Sequence, residues 1–447
     1  MDERNSVILE TVRDMIARGE VARAVRTISD LHSADASEIL ASLDPSDETL
    51  MLVKMEPGAA ARALLEMEES HQVEVASRLK AGRLRELLER MPVDEAVDLL
   101  GDIPDADRRS LLKLFGASEA RELESLLVYG DDTAGGLMTP DFISVSPEDS
   151  AQEVINFLRS VSPDVETIYY VYVLSGERLV GVLSLRQLIL SPPERRVGDI
   201  MQKEVISVAP NDDQEKVAEV ISRYDLLAVP VTSESGRMLG IVTVDDVMEV
   251  IEDEAQEDIL RFAGATGSEQ EPREGLFAGM GRRLPWFAVA VVVEVLIAGG
   301  ILKLYSPLFE EFMVLVFFIP LLVTMGGNIA VQSSAVIGRW LATGTPTRSS
   351  ALRAISGEVL WGVMVGLLTG AVVAAISLAF NQKPSVGAVV GLSLALTVVA
   401  ASLVGCALPV TLKALKRDPA SVSGPLLGTT MDVVSLAIYF GIGMLLI

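Results

Sequence analysis

Gly428-Thr-Thr-Met-Asp432-Val-Val-Ser-Leu-Ala-Ile-Tyr-Phe440 decides what kind of chain this is. The stretch lies in an apolar run from Pro425 to Ile447, long enough to span a bilayer, with a carboxylate about a third of the way in. A charge at the centre of a membrane helix costs roughly 2.5–3.5 kcal/mol on insertion scales, so such residues face a water-filled path or a partner. Asp432 is therefore paired to a neighbouring helix, held protonated, or part of a cation site in a pore.

Working outward, four more apolar runs precede it, at 284–304, 312–341, 357–380 and 386–412. Each is long enough for a core about 30 Å thick, which predicts five transmembrane α-helices. Basic residues fall on alternate loops: Arg282 and Arg283; Arg339, Arg348 and Arg353; Lys413, Lys416 and Arg417. The opposite loops hold Lys303 and Lys383, so the N-terminus is expected in the cytosol and the C-terminus outside. Run two contains Pro320 and then Gly326-Gly327-Asn328-Ile-Ala-Val-Gln332-Ser333-Ser334. That pattern reads either as a broken helix with free carbonyls or as a small-residue packing face. Run one carries Glu294, which lines the path, is protonated, or hydrogen-bonds between helices.

Charge separates the chain into two parts. From Gly281 onward there are ten Lys/Arg against six Asp/Glu, which leaves −29 on residues 1–280 out of a total of −25. Such a surface attracts cations and repels nucleic acid and anionic lipid. One cysteine, Cys406, and two separated histidines, His32 and His71, exclude an internal disulfide and a Cys/His zinc site. Any metal site is then mostly oxygen, which suits hard cations such as Mg²⁺ and Ca²⁺. The start, Met-Asp-Glu-Arg-Asn-Ser, lacks the basic and apolar pattern of a signal peptide. The chain offers no nucleophile–base arrangement, P-loop or cofactor fingerprint, which argues against an enzyme.

Residues 1–130 read as an all-α superhelix of short helices, with apolar residues at three and four spacings and breaks at Asp44-Pro, Glu56-Pro-Gly, Met91-Pro and Ile103-Pro. Asp94 and Asp98 stand one helical turn apart. Residues 131–250 hold an internal repeat. Leu137-Met-Thr-Pro-Asp-Phe-Ile-Ser-Val-Ser-Pro recurs 63 residues later as Ile200-Met-Gln-Lys-Glu-Val-Ile-Ser-Val-Ala-Pro. Each copy continues with a helix and two strands, and the α/β unit resembles a tandem pair of CBS domains. That resemblance implies an adenine nucleotide such as ATP as regulatory ligand, or an empty structural cleft. Candidate contacts are Tyr170, Arg186, Thr243 and Asp246; copy one has Gln187 where an Asp is expected. A long acidic helix follows within a connecting segment, 245–283. Glu249, Asp253 and Glu257 recur every four residues, as do Glu254 and Asp258, and the like charges destabilise a bare helix unless a cation sits on it.

The order of parts, with Asp132-Thr-Ala-Gly-Gly-Leu-Met-Thr-Pro140, Glu166-Thr-Ile-Tyr-Tyr170, Gly240-Ile-Val-Thr-Val-Asp-Asp246, Gly326-Gly-Asn328 and Asp432, resembles the MgtE family of magnesium transporters over nearly the whole length. The resemblance implies a multidomain membrane protein, with residues 284–447 as its transmembrane domain. It implies a homodimeric Mg²⁺ channel in the cell inner (plasma) membrane, surrounded by lipid. The pore acid maps to Asp432, beside Asn328 and Gly428. Regulatory Mg²⁺ would be held by Asp94 and Asp98 facing Asp246; by Glu215, Asp225 and Glu249; and by Glu254, Glu257 and Asp258, with Asp253 on the same helix. Ala330 and Val331 depart from the family's usual Gly and polar residue, and Glu294 matches no family position. Carriage of Co²⁺, Mn²⁺ or Ni²⁺ stays open at this stage. So does a proton- or sodium-coupled divalent-cation carrier using Glu294.

Overall fold

The computed structural model describes residues 3–160, 167–263, 284, 288, 291–292, 294–305, 313–342, 348–379, 383–415 and 424–447. The part of the connecting segment beyond residue 263, most of run one, and the loops holding Arg282, Arg283, Lys416 and Arg417 lie outside the described residues. The chain divides into two compact units, Met1–Asp253 and Glu254–Ile447.

The first unit begins with ten helices: Glu3–Ala17 (α1), Val21–Ser29 (α2), Ser33–Ala41 (α3), Pro45–Lys54 (α4), Pro57–Leu65 (α5), Glu69–Arg78 (α6), Ala81–Leu88 (α7), Val93–Asp102 (α8), Asp105–Leu112 (α9) and Glu119–Leu126 (α10). The prolines set the rhythm. Pro45 and Pro57 open their helices, where a missing N–H costs nothing, and Pro92 and Pro104 stand at the caps before α8 and α9. Helices two apart stack: α1, α3, α5, α7 and α9 form one row, while α2 packs on α4, α6 on α8 and α8 on α10. Ile39, Leu40, Leu64, Leu87 and Leu100 fill the seam. Val53, placed in the core by its spacing, instead points outward at 44% exposure.

The repeat folds as two interlocked copies. Copy one has Ser144–Val145 (β1), Ala151–Ser160 (α11), Tyr170–Ser175 (β2), Arg178–Ser184 (β3) and Leu185–Leu190 (α12). Copy two has Val197–Ile200 (α13), Gln214–Tyr224 (α14), Ala228–Thr232 (β4) and Met238–Thr243 (β5), then the acidic helix Val244–Ala263 (α15). Strand order is β1-β2-β3 in one sheet and β4-β5 in the other. The 63-residue offset has a structural cause. Each copy's leading segment crosses to the other copy's last strand: Thr139 pairs with Ile241, and Gln202 with Val182. The repeated methionines then press on repeated glycines. A Cβ on Gly240 would sit 3.1 Å from Met138 Cγ, and one on Gly181 would sit 2.8 Å from Met201 Cγ. Only a residue without a side chain lets those strands approach so closely.

In the second unit, a π-helical turn at Glu294–Ala298 leads into Gly299–Leu304 (α16). A 3₁₀ segment, Met313–Phe318, leads into Ile319–Ala342 (α17); Arg348–Ala379 (α18), Pro384–Ala414 (α19) and Gly424–Leu446 (α20) follow. Four helices among the described residues are long and apolar enough to cross a membrane. The most buried is α19, which packs on α17, α18 and α20. Gly366 and Gly370 of α18 meet the backbone of Ala395 and Gly391 on α19, the close small-residue approach that drives association in lipid.

A break at Gly326-Gly327 does not occur, because α17 runs unbroken from Ile319 to Ala342. Pro320 falls in its first turn, where no hydrogen bond is lost. The glycines make room for neighbours. A Cβ on Gly326 would strike Ser435 Oγ, and one on Gly327 would lie 3.7 Å from Gly428 Cα.

Candidate functional site

Asp432 is half-buried on α20, one turn beyond Gly428. Its carboxyl meets that of Glu294, which hydrogen-bonds it from the π-helical turn packed against α20. Of the readings of Glu294, the inter-helix hydrogen bond is present, and between two carboxyls such a bond needs one shared proton. On α17, Thr324, Asn328 and Gln332 recur every four residues, and all three are exposed. A polar stripe left open on a transmembrane helix needs water or protein to cover it, since lipid cannot satisfy it. Gly327 brings this helix up to Gly428 of α20. Sequence reasoning assigned no role to Glu358. It lies between α17 and α18, where Ser333 Oγ donates to its Oε2 (3.3 Å). A lone acid in run three was the available signal.

In the first unit, Asp94 is buried at 7% exposure while Asp98, one turn on, reaches solvent. Desolvation on a crowded surface, then the carboxylates of Glu95, Asp131, Asp102 and Glu69, push Asp98 up to about 8. Glu69 rises to about 7 through desolvation, then Asp102, with which it shares a hydrogen bond, and through Asp131 and Asp253. Asp98, Glu69, Asp102, Asp131 and Asp253 therefore form one acidic neighbourhood. Glu69, Asp102 and Asp131 were missed, although Asp102 continues the four-residue spacing of Asp94 and Asp98. The carboxylates acting on Asp246 include Asp245 and Glu249, and burial raises it first. Glu215 opens α14 and Asp225 caps its far end with a left-handed backbone, φ 51°. They stand about 15 Å apart along the helix, so one ion in one chain cannot touch both. On α15, Glu257 is ion-paired to Arg261 one turn on; Glu254 and Asp258 share that end of the helix.

These donors are all hard oxygens. Among the described residues, no three acidic, imidazole or thiol groups converge as a ready-made metal cage. The carboxylate crowding is itself repulsive, and a divalent cation would relieve it.

Of the nucleotide candidates, Thr243 Oγ1 donates to Asp246 Oδ2 (2.5 Å), and the Thr243 N–H donates to the same oxygen (3.2 Å). Copy one repeats this cap with neutral partners, Ser184 N–H to Gln187 Oε1 (2.9 Å). Tyr170 packs among Ala228, Met238 and Ile241, at the junction of the copies, and Arg186 is exposed. A cavity of about 560 Å³ lies elsewhere, beside Ser144, Ser146, Asp149, Glu153 and Phe157, and none of the four candidates lines it.

Comparison with known proteins places these features in one family. A model described as "Divalent cation transporter" matches residues 319–442, one described as "MgtE intracellular N domain" matches 31–132, and the CBS domain model matches 134–193 and 197–253. The chain is 38% identical over 363 residues to magnesium transporter MgtE of Thermus thermophilus, covering 79% of this chain and 80% of that one. It is 35% identical to magnesium transporter MgtE of Bacillus subtilis, covering 81% of each. It is also similar to the crystal structure of the cytosolic domain of the Mg²⁺ channel MgtE in complex with ATP. That match has TM-score 0.51 and 36% identity, and covers 54% of this chain and 99% of that one.

Proposed function

The chain belongs to the MgtE family of magnesium transporters, and from that premise we propose that it is a homodimeric Mg²⁺ channel closed by Mg²⁺ on its cytosolic acidic surfaces. The observation that carries the pore is the exposed polar stripe Thr324, Asn328 and Gln332 on α17, a helix that closely approaches α20 and so lies near Asp432. A second copy covering the stripe would enclose a wet path with Asp432 of each subunit near the axis. The five spans expected from the sequence point the same way, because an odd number gives no simple internal duplication. Two carboxylates attract a divalent cation, and backbone and amide oxygens contact the waters it keeps. A cytosol at −100 mV favours entry of a double charge by about 4.6 kcal/mol, so no pump is needed.

The membrane is the cell inner membrane, with the N-terminus cytosolic, the C-terminus outside, and lipid around the bundle. The negative cytosolic part repels nucleic acid. Regulatory Mg²⁺ would be held by Asp94 and Asp98 with the acids around them, by Asp246 and Glu249, by Glu215 and Asp225 separately, and by Glu254, Glu257 and Asp258. What the ion supplies is positive charge between like-charged surfaces; without it they repel. The end of α15 abuts the membrane helices. A methyl group on Gly424, the first residue of α20, would lie 3.4 Å from the Phe262 carbonyl oxygen. A shift of α15 is therefore felt by the helix that carries Asp432. ATP on the CBS pair is supported by the ATP-bound relative and by the Thr243–Asp246 pair, whose hydroxyl and carboxylate suit a ribose.

Inside-out patches of reconstituted protein test the reading. Wild type is expected to carry Mg²⁺ current that shuts as bath Mg²⁺ rises through the millimolar range, and Asp432→Ala to lose Mg²⁺ selectivity. Slow uptake coupled to a proton or sodium gradient, with no current, would overturn the channel.

A further inference from the structure

Glu294 opens the π-helical turn Glu294–Ala298. Such turns re-aim a side chain within a helix and recur at functional sites. Here the turn packs on α20, and the Glu294 carboxyl hydrogen-bonds the Asp432 carboxyl across the two helices. Around Asp432 the last span is apolar, with Met431, Val433 and Val434 beside it. The nearby hydroxyl of Thr430 is turned back on its own helix, donating to the Leu426 carbonyl (2.8 Å). Asp432 has a short side chain with free torsions, and selecting an ion through its water shell requires oxygens held in place. A constellation left about 1 Å loose loses its discrimination.

We propose that Glu294 is a positioning residue for ion selection, its carboxyl holding the Asp432 carboxyl in one orientation beside the permeating cation. The proposal rests on the reading of Asp432 as the pore acid. It assigns the hydrogen bond, rather than Glu294's charge, the decisive part, and so it separates two substitutions. Glu294→Gln keeps a group that donates to Asp432, whereas Glu294→Ala removes the hydrogen bond altogether.

The test is the Mg²⁺/Na⁺ permeability ratio from reversal potentials of the full-length protein in planar bilayers. That ratio does not depend on how many channels fold or open. Loss of a hydrogen bond to a charged group predicts a fall of about ten-fold for Glu294→Ala, and no more than about two-fold for Glu294→Gln. In an Asp432→Ala background, Glu294→Ala should change the ratio no further. A wild-type ratio in Glu294→Ala, with the ratio lost in Asp432→Ala, overturns the proposal and leaves the pore reading standing. A wild-type ratio in Asp432→Ala overturns the pore reading itself. Should Glu294→Ala give no current, Glu294→Gln decides: a near-native ratio supports positioning, and a ten-fold loss overturns it.

Discussion

Glu48 is an acidic side chain sealed from solvent at 1% exposure. His71 Nε2 lies 2.6 Å from one carboxylate oxygen and Arg78 Nη2 lies 2.5 Å from the other, so α4 and α6 are braced through this acid. Removing one partner of a buried charge network leaves the others uncompensated, at a cost of about 3–5 kcal/mol. Glu48→Ala is therefore expected to lower amide hydrogen-exchange protection in α4 and α6 by at least about a hundred-fold. Unchanged protection would mean that water already solvates the site. The brace was not legible in the sequence. His71 reads there as an isolated histidine, because its partner lies 23 residues back and only the fold brings the two together. His32 is likewise a local matter, its ring accepting the Ala34 N–H at the start of α3. What single residues did disclose were positions where membrane or backbone leaves little choice. Asp432 stood out as a carboxylate in an apolar span, and Met138 and Met201 as matching positions of one repeat.

At the scale of elements, the acidic helix α15 shows what spacing can and cannot predict. Its four-residue ridges and its length were readable, and the helix spans Val244–Ala263. That Glu257 pairs with Arg261, and that the helix end abuts Gly424, needed coordinates. Neutralising the three acids at that end (Glu254→Gln, Glu257→Gln, Asp258→Asn) should leave the channel conducting at cytosolic Mg²⁺ that shuts wild type. Normal shut-off in patches of the triple variant would remove α15 from the gate. The same contrast holds elsewhere. Proline placed the helix starts of the N-terminal superhelix correctly because ring closure is local chemistry. The Gly326-Gly327 pair was ambiguous because glycine serves both a broken helix and a close helix contact, and which applies depends on Ser435 and Gly428 from a helix a hundred residues away. Glu215 and Asp225 look like a pair in a list of acids, but one lies in the first turn of an eleven-residue helix and the other caps its far end.

For the whole molecule the governing quantity is charge, −29 on residues 1–280 against +4 on the rest. Segregation was fully visible in the sequence; where the repulsion concentrates was not. It gathers around Glu69 and Asp98, whose carboxyls are pushed up to about 7 and about 8. A carboxyl whose folded value is raised binds its proton more tightly folded than unfolded. Its folded state is therefore favoured below the ordinary carboxylate range, and the advantage is lost as pH rises from about 4.5 towards 8. Both side chains are largely exposed, so each contributes well under about 1 kcal/mol, but the effect has a definite sign. In Mg²⁺-free detergent solution, hydrogen exchange in α6 and α8 of the full-length protein, corrected for intrinsic rate, should quicken as pH rises from 6 to 8.5. Millimolar Mg²⁺ should flatten that dependence, because a divalent cation replaces the protons that relieve the crowding. Asp98→Asn should flatten it too, without any metal. If protection in α8 were indifferent to pH and to Mg²⁺ alike, the acidic neighbourhood would be an ordinary solvated surface, and closure of the channel would have to be sought at the acids of α14 and α15.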